Sequence, residues 1–188
     1  MNIPNLLSVS RIPVVFVIVG LMMLETKWPD AAMWAFGLYV LSALTDWLDG
    51  YLARTWNQIT NFGKFIDALA DKVLTSGLFV GLLAFGRLPE WGLFLVLLIL
   101  TREFMVTGLR LVAAGKGFVM AAENLGKWKT ALQMVSIGLY LFRDAIKVEA
   151  GAEVILGHAG DVTFAIAGLL TVVSGISYFW KNRELFRE

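Results

Sequence analysis

The sequence contains no cysteine, a single histidine and few charged residues, with only 16% of its 188 residues Asp, Glu, Lys or Arg. The lack of cysteine excludes a disulfide framework, a thiolate metal site and a cysteine nucleophile. A formal net charge of +1, without any basic block, excludes a nucleic-acid-binding or disordered chain. Apolar residues are in excess instead, at 58% against roughly 45–50% in soluble proteins, and the mean hydropathy is +0.71. This composition predicts a small integral membrane protein.

Six stretches approach the length of about 20 mostly apolar residues that a spanning helix needs. Their apolar runs are continuous and do not alternate, which favours helices over the strands of a barrel. The predicted spans are residues 6–24, 31–53, 65–86, 90–112, 128–147 and 162–180. The first lacks a small-residue cleavage site and is predicted to be a span, not a cleavable signal peptide. We expect an all-α membrane protein with one domain over residues 1–188.

The distribution of Lys and Arg predicts the orientation. With six spans both termini share one side, and only Lys27, Arg87, Arg143 and Lys147 of the 16 basic residues fall on the other. The positive-inside rule therefore places both termini in the cytoplasm. The polar stretch from Arg143 to Asp161, which includes His158, is predicted to be an outer loop.

Four aspartates interrupt the apolar pattern in the cytoplasmic halves of the second and third spans. Asp46 and Asp49 are three residues apart, and Asp67 and Asp71 are four apart, so each pair lies on one helix face. Small residues continue these faces and let two helices approach closely, so that both pairs point at one cavity. The small residues are Gly50, Ala53 and Gly63.

Four carboxylates in a partly desolvated cleft repel one another, and a bound divalent cation would resolve the repulsion. Because all candidate ligands are oxygens, the site favours Mg²⁺, with Mn²⁺ as the alternative, and four carboxylates could hold two ions. Mg²⁺ usually completes its shell with substrate phosphates and water, so a phosphorylated substrate is also predicted.

Two other interpretations of the aspartates are open. Each one alone could simply pair with a nearby cation, for which Arg54, Lys64 and Lys72 are available. Acidic residues at membrane depth can also line the path of a divalent-cation transporter. The clustering of all four aspartates toward one leaflet argues against a transporter.

The run Asp46-x₂-Asp49-Gly50-x₂-Ala53-Arg54-x₈-Gly63-x₃-Asp67-x₃-Asp71 resembles the signature of the CDP-alcohol phosphotransferase family. Further stretches resemble the bacterial members of the family that use glycerol 3-phosphate as acceptor. They are NIPNLLSVSR, TNFGKFIDALADK, TREFMVTGLRLVAAGKG and LGKWKTALQ. The resemblance covers essentially the whole chain.

This resemblance implies transfer of the phosphatidyl group of CDP-diacylglycerol to sn-glycerol 3-phosphate, with release of CMP, at the cytoplasmic face of a bacterial inner membrane. It implies that Asp46, Asp49, Asp67 and Asp71 form a two-ion metal site and that Asp71 is also the general base. The residues that it implies for the CDP-lipid are Asn5, Gly50, Ala53, Arg54 and Gly63; a helix cap is the alternative role for Asn5. Relatives are commonly homodimers.

Basic residues near the cytoplasmic ends of the fourth and fifth spans suggest a second site. Arg102 and Arg110 are eight residues apart and can face the same way, and Arg102 adjoins Glu103 within an apolar helix. Cationic side chains that snorkel to lipid headgroups are the alternative. We predict that Arg102, Arg110 and Lys127, with Lys129 a weaker candidate, hold the acceptor's phosphate. Inositol phosphate or phosphatidylglycerol are the alternative acceptors.

Overall fold

Six helices make up nearly all of the described chain. The structure is a computed structural model that describes residues 3–56, 60–116, 124–146 and 150–183. Its helices are α1 (Ile3–Leu24), α2 (Ala31–Thr55), α3 (Asn61–Ala84), α4 (Gly92–Gly115), α5 (Asn124–Ala145) and α6 (Ala150–Lys181). No strand occurs in these ranges, so the all-α prediction is confirmed for them.

Four of the helices are long and apolar enough to cross a membrane: α1, α2, α4 and the Gly151–Lys181 part of α6. The other two, α3 and α5, carry more charged residues along their length. The protein is therefore a helical chain with several candidate spans, while the count of six spans and the side of the termini stay predictions.

The predicted outer loop from Arg143 to Asp161 is wrong. Helix α5 continues to Ala145, and α6 already begins at Ala150, twelve residues before the predicted span. The polar residues of this stretch lowered its hydropathy without preventing a helix. Its later part packs on α5, where the Ser136 hydroxyl donates to the Gly160 carbonyl at 3.2 Å and the Tyr140 hydroxyl donates to Asp161 at 2.7 Å. His158 is exposed on this part of α6.

Helix α1 packs against both α2 and α3 and so carries its side chains between them. Glycines on α3 allow the close approach: a Cβ on Gly77 would lie 2.7 Å from Cγ1 of Val15. The apolar core continues through the other helices, where Leu78, Tyr140 and Phe164 are fully buried. This packing places the first turns of α1 beside the end of α2 and the start of α3.

At the opposite ends of α1 and α3, two arginines and two carboxylates form an ion-pair cluster that we call the distal cluster. Arg87 binds Glu25, and also Asp144 at 2.5 Å, while Arg143 contacts Asp144 at 3.0 Å. Burial lowers the pKa of Arg87, but the carboxylates of Asp144 and Glu25 raise it more, so it lies above its ordinary value and the guanidinium stays charged. The distal cluster ties the ends of α1, α3 and α5 together.

Candidate active site

Four aspartates meet where the last turns of α2 approach the first turns of α3. One oxygen from each of Asp46, Asp49 and Asp67 lies within 4.8 Å of the others. Asp49 is buried, whereas Asp46, Asp67 and Asp71 are partly open, with side chains 33%, 46% and 42% exposed. We call these four side chains the acidic cluster.

The guanidinium of Arg11, on α1, occupies the centre of the acidic cluster. Its Nη1 contacts Asp46 and lies 2.5 Å from Asp71, and its Nη2 lies 3.0 Å from Asp49 and 2.6 Å from Asp67. The Arg11 side chain is only 1% exposed. All four carboxylates therefore share one buried cation, and that cation comes from neither of the helices that carry them.

Arg11 continues a polar stripe on α1 that faces α2 and α3. One turn earlier, the Ser8 hydroxyl donates to Asp49 at 2.8 Å. One turn before that, the Asn5 amide donates to the Thr60 hydroxyl at 3.3 Å, and the same hydroxyl accepts from the Gly63 amide at 2.9 Å and caps α3. A Cβ on Gly63 would collide with the Asn5 side chain, so glycine is needed for this contact.

The acidic cluster fits a divalent cation. Its donors are all carboxylate oxygens, the set that Mg²⁺ and Mn²⁺ prefer. One arginine against four aspartates leaves a formal charge of −3. The guanidinium also shows that a positive group is stabilised at this point. The described residues could therefore hold a metal ion here, although nothing about them selects Mg²⁺ over Mn²⁺.

A cationic cavity of about 430 Å³ lies next to the acidic cluster, between α3, α4, α5 and α6. The predicted phosphate ligands Arg102, Arg110 and Lys127 all line it. So does Tyr178, whose hydroxyl accepts from Nε of Arg110 at 2.9 Å. We call this space the basic cavity. It brings together three cations that are up to 25 residues apart in the sequence.

One partly buried carboxylate, that of Glu103, connects the cations along the wall of the basic cavity. Glu103 accepts from Arg102 at 3.1 Å and from Lys129, which is 3% exposed. Lys72 reaches the same carboxylate at 4.0 Å. Because Lys72 directly follows Asp71 on α3, the basic cavity and the acidic cluster share a wall. Glu103 therefore engages both Arg102 and Lys129, and Lys129 is the more deeply buried, at 3% against 15% exposed.

The other predicted CDP-lipid residues lie one to two turns beyond the aspartates on α2. Arg54 is exposed, and its guanidinium is 3.7 Å from the point where a Cβ on Gly50 would be. Ala53 is partly exposed beside it. The sequence offered Arg54, Lys64 and Lys72 as partners for the aspartates. Among the described contacts, neither Arg54 nor Lys72 pairs with an aspartate, and Lys72 binds Glu103 instead. The side chain of Lys64 lies outside the described residues.

The sequence analysis did not single out two residues of these sites, Arg11 and Tyr178. Arg11 could have been found, because Asn5, Ser8 and Arg11 recur every three residues in a helix that is apolar apart from these and Ser10. An ionisable residue inside a span calls for a partner. Tyr178 carries no comparable signal, since a tyrosine near a span end is typical of membrane proteins.

Comparison with known proteins identifies the class. A family model described as CDP-alcohol phosphatidyltransferase matches residues 1–176, and the chain belongs to that family. Its relatives include proteins named CDP-diacylglycerol–glycerol-3-phosphate 3-phosphatidyltransferase. The one from Bacillus subtilis is 38% identical, with 99% of this chain and 97% of the relative aligned. Those from Rickettsia bellii and Salmonella typhimurium are each 36% identical, over 98% and 94% of this chain and 97% and 92% of theirs.

Proposed function

We propose that this protein transfers the phosphatidyl group of CDP-diacylglycerol to sn-glycerol 3-phosphate, giving phosphatidylglycerol phosphate and CMP. The names of its relatives support this activity over nearly the whole chain. The observation that carries it is the shared wall between an acidic cluster and a basic cavity. The first suits a metal-bound diphosphate, and the second suits a phosphorylated acceptor.

The carboxylates of Asp46, Asp49 and Asp67 would hold the divalent ion, with Asp71 at their edge; two ions are expected from the family resemblance. A divalent ion supplies charge neutralisation at the diphosphate and polarises its phosphorus–oxygen bonds. The partly exposed side chains of Asp46, Asp67 and Asp71 leave an opening through which a phosphate can complete the coordination.

Asp71 is the best-placed general base. It lies outside the group of three mutually close carboxylates and adjoins Lys72, on the wall of the basic cavity. An acceptor hydroxyl would lose its proton to an Asp71 oxygen while its own oxygen bonds to the phosphorus that carries diacylglycerol. The bond from that phosphorus to the bridging oxygen breaks, and CMP leaves.

The nucleotide end of the CDP-lipid is assigned to the residues around the start of α3 and the end of α2. Asn5 and Gly63 touch there, Gly50 and Ala53 offer no large side chain, and Arg54 is exposed and free to reach a diphosphate. On the acceptor side, Arg102, Arg110 and Lys127 supply the cations that a phosphate monoester requires. A neutral acceptor would leave these charges without a ligand.

The basic residues support an arrangement of six spans with both termini, and the reaction, at the cytoplasmic face of a bacterial inner membrane. Glycerol 3-phosphate is charged and water-soluble, so the basic cavity must open toward an aqueous compartment that contains it. The homodimer stays a prediction from the resemblance.

Release of CMP from CDP-diacylglycerol by the purified protein tests the proposal. With glycerol 3-phosphate and Mg²⁺ we expect CMP and phosphatidylglycerol phosphate in equal amounts, and no CMP with chelator. Asp71→Asn should lower the rate by at least about a hundredfold, as loss of a general base does. Asp30→Asn, an exposed aspartate without a side-chain cap bond, is the matched control. Wild-type rates from Asp71→Asn, or a preference for inositol phosphate or phosphatidylglycerol in competition, would overturn the proposal or its acceptor.

A further inference from the structure

The position of Arg11 carries a second inference, which rests on the proposed metal-dependent function. Its two terminal nitrogens lie within bonding distance of an oxygen from each of the four aspartates. These are the same oxygens that would bind a divalent ion, at about 2.1 Å for Mg²⁺. A guanidinium and a metal ion cannot both fill that space. The two cations must therefore compete for the acidic cluster.

The contacts of Arg11 lie almost entirely with those carboxylates. Its Nε is buried and has no hydrogen-bond partner among the described residues, so the side chain is held by its terminal nitrogens alone. Among the described contacts, no other residue would keep the guanidinium in place once another cation had bound the carboxylates. The Arg11 side chain extends into the site from α1, whereas the four aspartates lie on α2 and α3.

Charge also distinguishes the two occupants. A guanidinium leaves the acidic cluster at a formal charge of −3, whereas one divalent ion in its place would leave −2 and two would leave it neutral. A single arginine thus compensates the repulsion only in part. The larger charge of a divalent ion therefore compensates these carboxylates better than the guanidinium does.

We propose that Arg11 is a built-in counter-cation of the metal-free protein, which binds the four carboxylates of the acidic cluster and is displaced when the divalent ion binds. Arg11 then sets the metal affinity of the site. Removing the guanidinium removes the competitor and makes the site more negative, and both effects strengthen metal binding.

The test is direct Mn²⁺ binding to the detergent-purified protein without CDP-lipid, with free Mn²⁺ counted by electron paramagnetic resonance. For Arg11→Gln we expect the Kd for Mn²⁺ to fall by at least about tenfold, within the usual range of coupling between competing ligands. The rise in unfolding temperature on adding Mn²⁺ or Mg²⁺ should also be larger than in wild type, because the metal-free variant loses the buried charge that compensates the four carboxylates.

Arg143→Gln is the matched control: it also removes an arginine that contacts an aspartate, here a partly buried one in the distal cluster. It should lower the unfolding temperature and leave the Kd for Mn²⁺ unchanged. Arg11→Lys keeps the positive charge, but a single ammonium group cannot contact all four carboxylates. The Kd of this variant for Mn²⁺ should lie between those of wild type and Arg11→Gln. This variant also gives the answer if Arg11→Gln does not fold without metal.

A Kd that is unchanged or raised in both Arg11 variants would show that the guanidinium is a permanent part of the site, and would overturn the inference. The proposed function fails separately, through absence of metal-dependent CMP release by the wild-type protein. A wild-type protein that releases CMP while its Arg11 variants bind Mn²⁺ no more tightly would refute only the role of Arg11.

Discussion

The acidic cluster and the distal cluster lie at opposite ends of the same helices, and each surrounds arginine with carboxylates. In the distal cluster two arginines face Glu25 and Asp144, and the formal charge is zero. In the acidic cluster one arginine faces four aspartates, and the formal charge is −3. From Asp71 to Ala84, the last residue of α3, the helix rises roughly 20 Å at 1.5 Å per residue.

This difference separates two uses of buried charge. A balanced cluster has no need of a ligand, and its groups stabilise one another and the helix ends that carry them. In an unbalanced cluster the like charges repel one another until an ion of opposite charge is added. Such a cluster is expected to weaken the fold and to bind that ion. The basic cavity belongs to the second kind with the opposite sign, because five cationic side chains and one carboxylate line it.

The strongest test of this comparison exchanges one aspartate for asparagine at each end. Asp46→Asn should lower the transfer rate by about a thousandfold, because a lost metal ligand removes several kcal/mol of transition-state stabilisation. Its unfolding temperature without metal should stay the same or rise, since one of four repelling charges is gone. CMP release and thermal unfolding are measured on the same preparation.

Asp144→Asn should behave in the opposite way, with a lower unfolding temperature and a normal rate per folded molecule. The comparison breaks down if Asp46→Asn unfolds as readily as Asp144→Asn.

Arg87→Gln tests the structural role of the distal cluster. The change removes the arginine that binds Glu25, and it leaves Asp144, which is 7% exposed, with Arg143 as its arginine partner. We therefore expect a loss of about 2–4 kcal/mol in the free energy of unfolding. Thermal or denaturant unfolding in detergent measures it. Adding Asp144→Asn to Arg87→Gln should cost less than the sum of the single changes, because the two side chains interact. Strict additivity would show that the pair contributes nothing.

Much of this arrangement could be predicted from the sequence, because it depends on local spacing. Aspartates three and four residues apart share a helix face by geometry alone, and they do meet. The start of α6 could not be predicted from hydropathy, because polar residues lower the hydropathy of its first turns. The third turn already contacts α5, where Gly160 lies against the Tyr140 ring.

The role of Arg11 depends on packing between helices that are distant in the sequence. It lies 35 residues before Asp46 and 60 before Asp71, and the packing of α1 against α2 and α3, close at Gly77, brings it to them. Nearer cations such as Arg54 and Lys72 were the obvious partners by sequence distance. Helix geometry directs them elsewhere, and Lys72 reaches Glu103 instead.

Arg110→Gln extends the comparison to the basic cavity. The exposed guanidinium lines a cavity that we assign to the acceptor phosphate, so the KM for glycerol 3-phosphate should rise about tenfold to thirtyfold with little change in kcat. Lys116→Gln is the control, since Lys116 is an exposed cation just beyond the end of α4 and does not line the cavity. An equal rise in both variants would point to general attraction of an anion by a basic surface.

Tyr178→Phe should give the smallest effect and shows whether Arg110 has to be held in place. The change removes the hydroxyl that accepts from Nε of Arg110 and keeps the ring, over which the guanidinium lies 5.5 Å from the centroid. Loss of one hydrogen bond of about 1 kcal/mol predicts a KM for glycerol 3-phosphate raised about fivefold, with kcat unchanged. In the Arg110→Gln background the same change should have no effect on KM, because the residue it orients is absent. A full fivefold effect in that background would instead mean that Tyr178 contacts the acceptor itself.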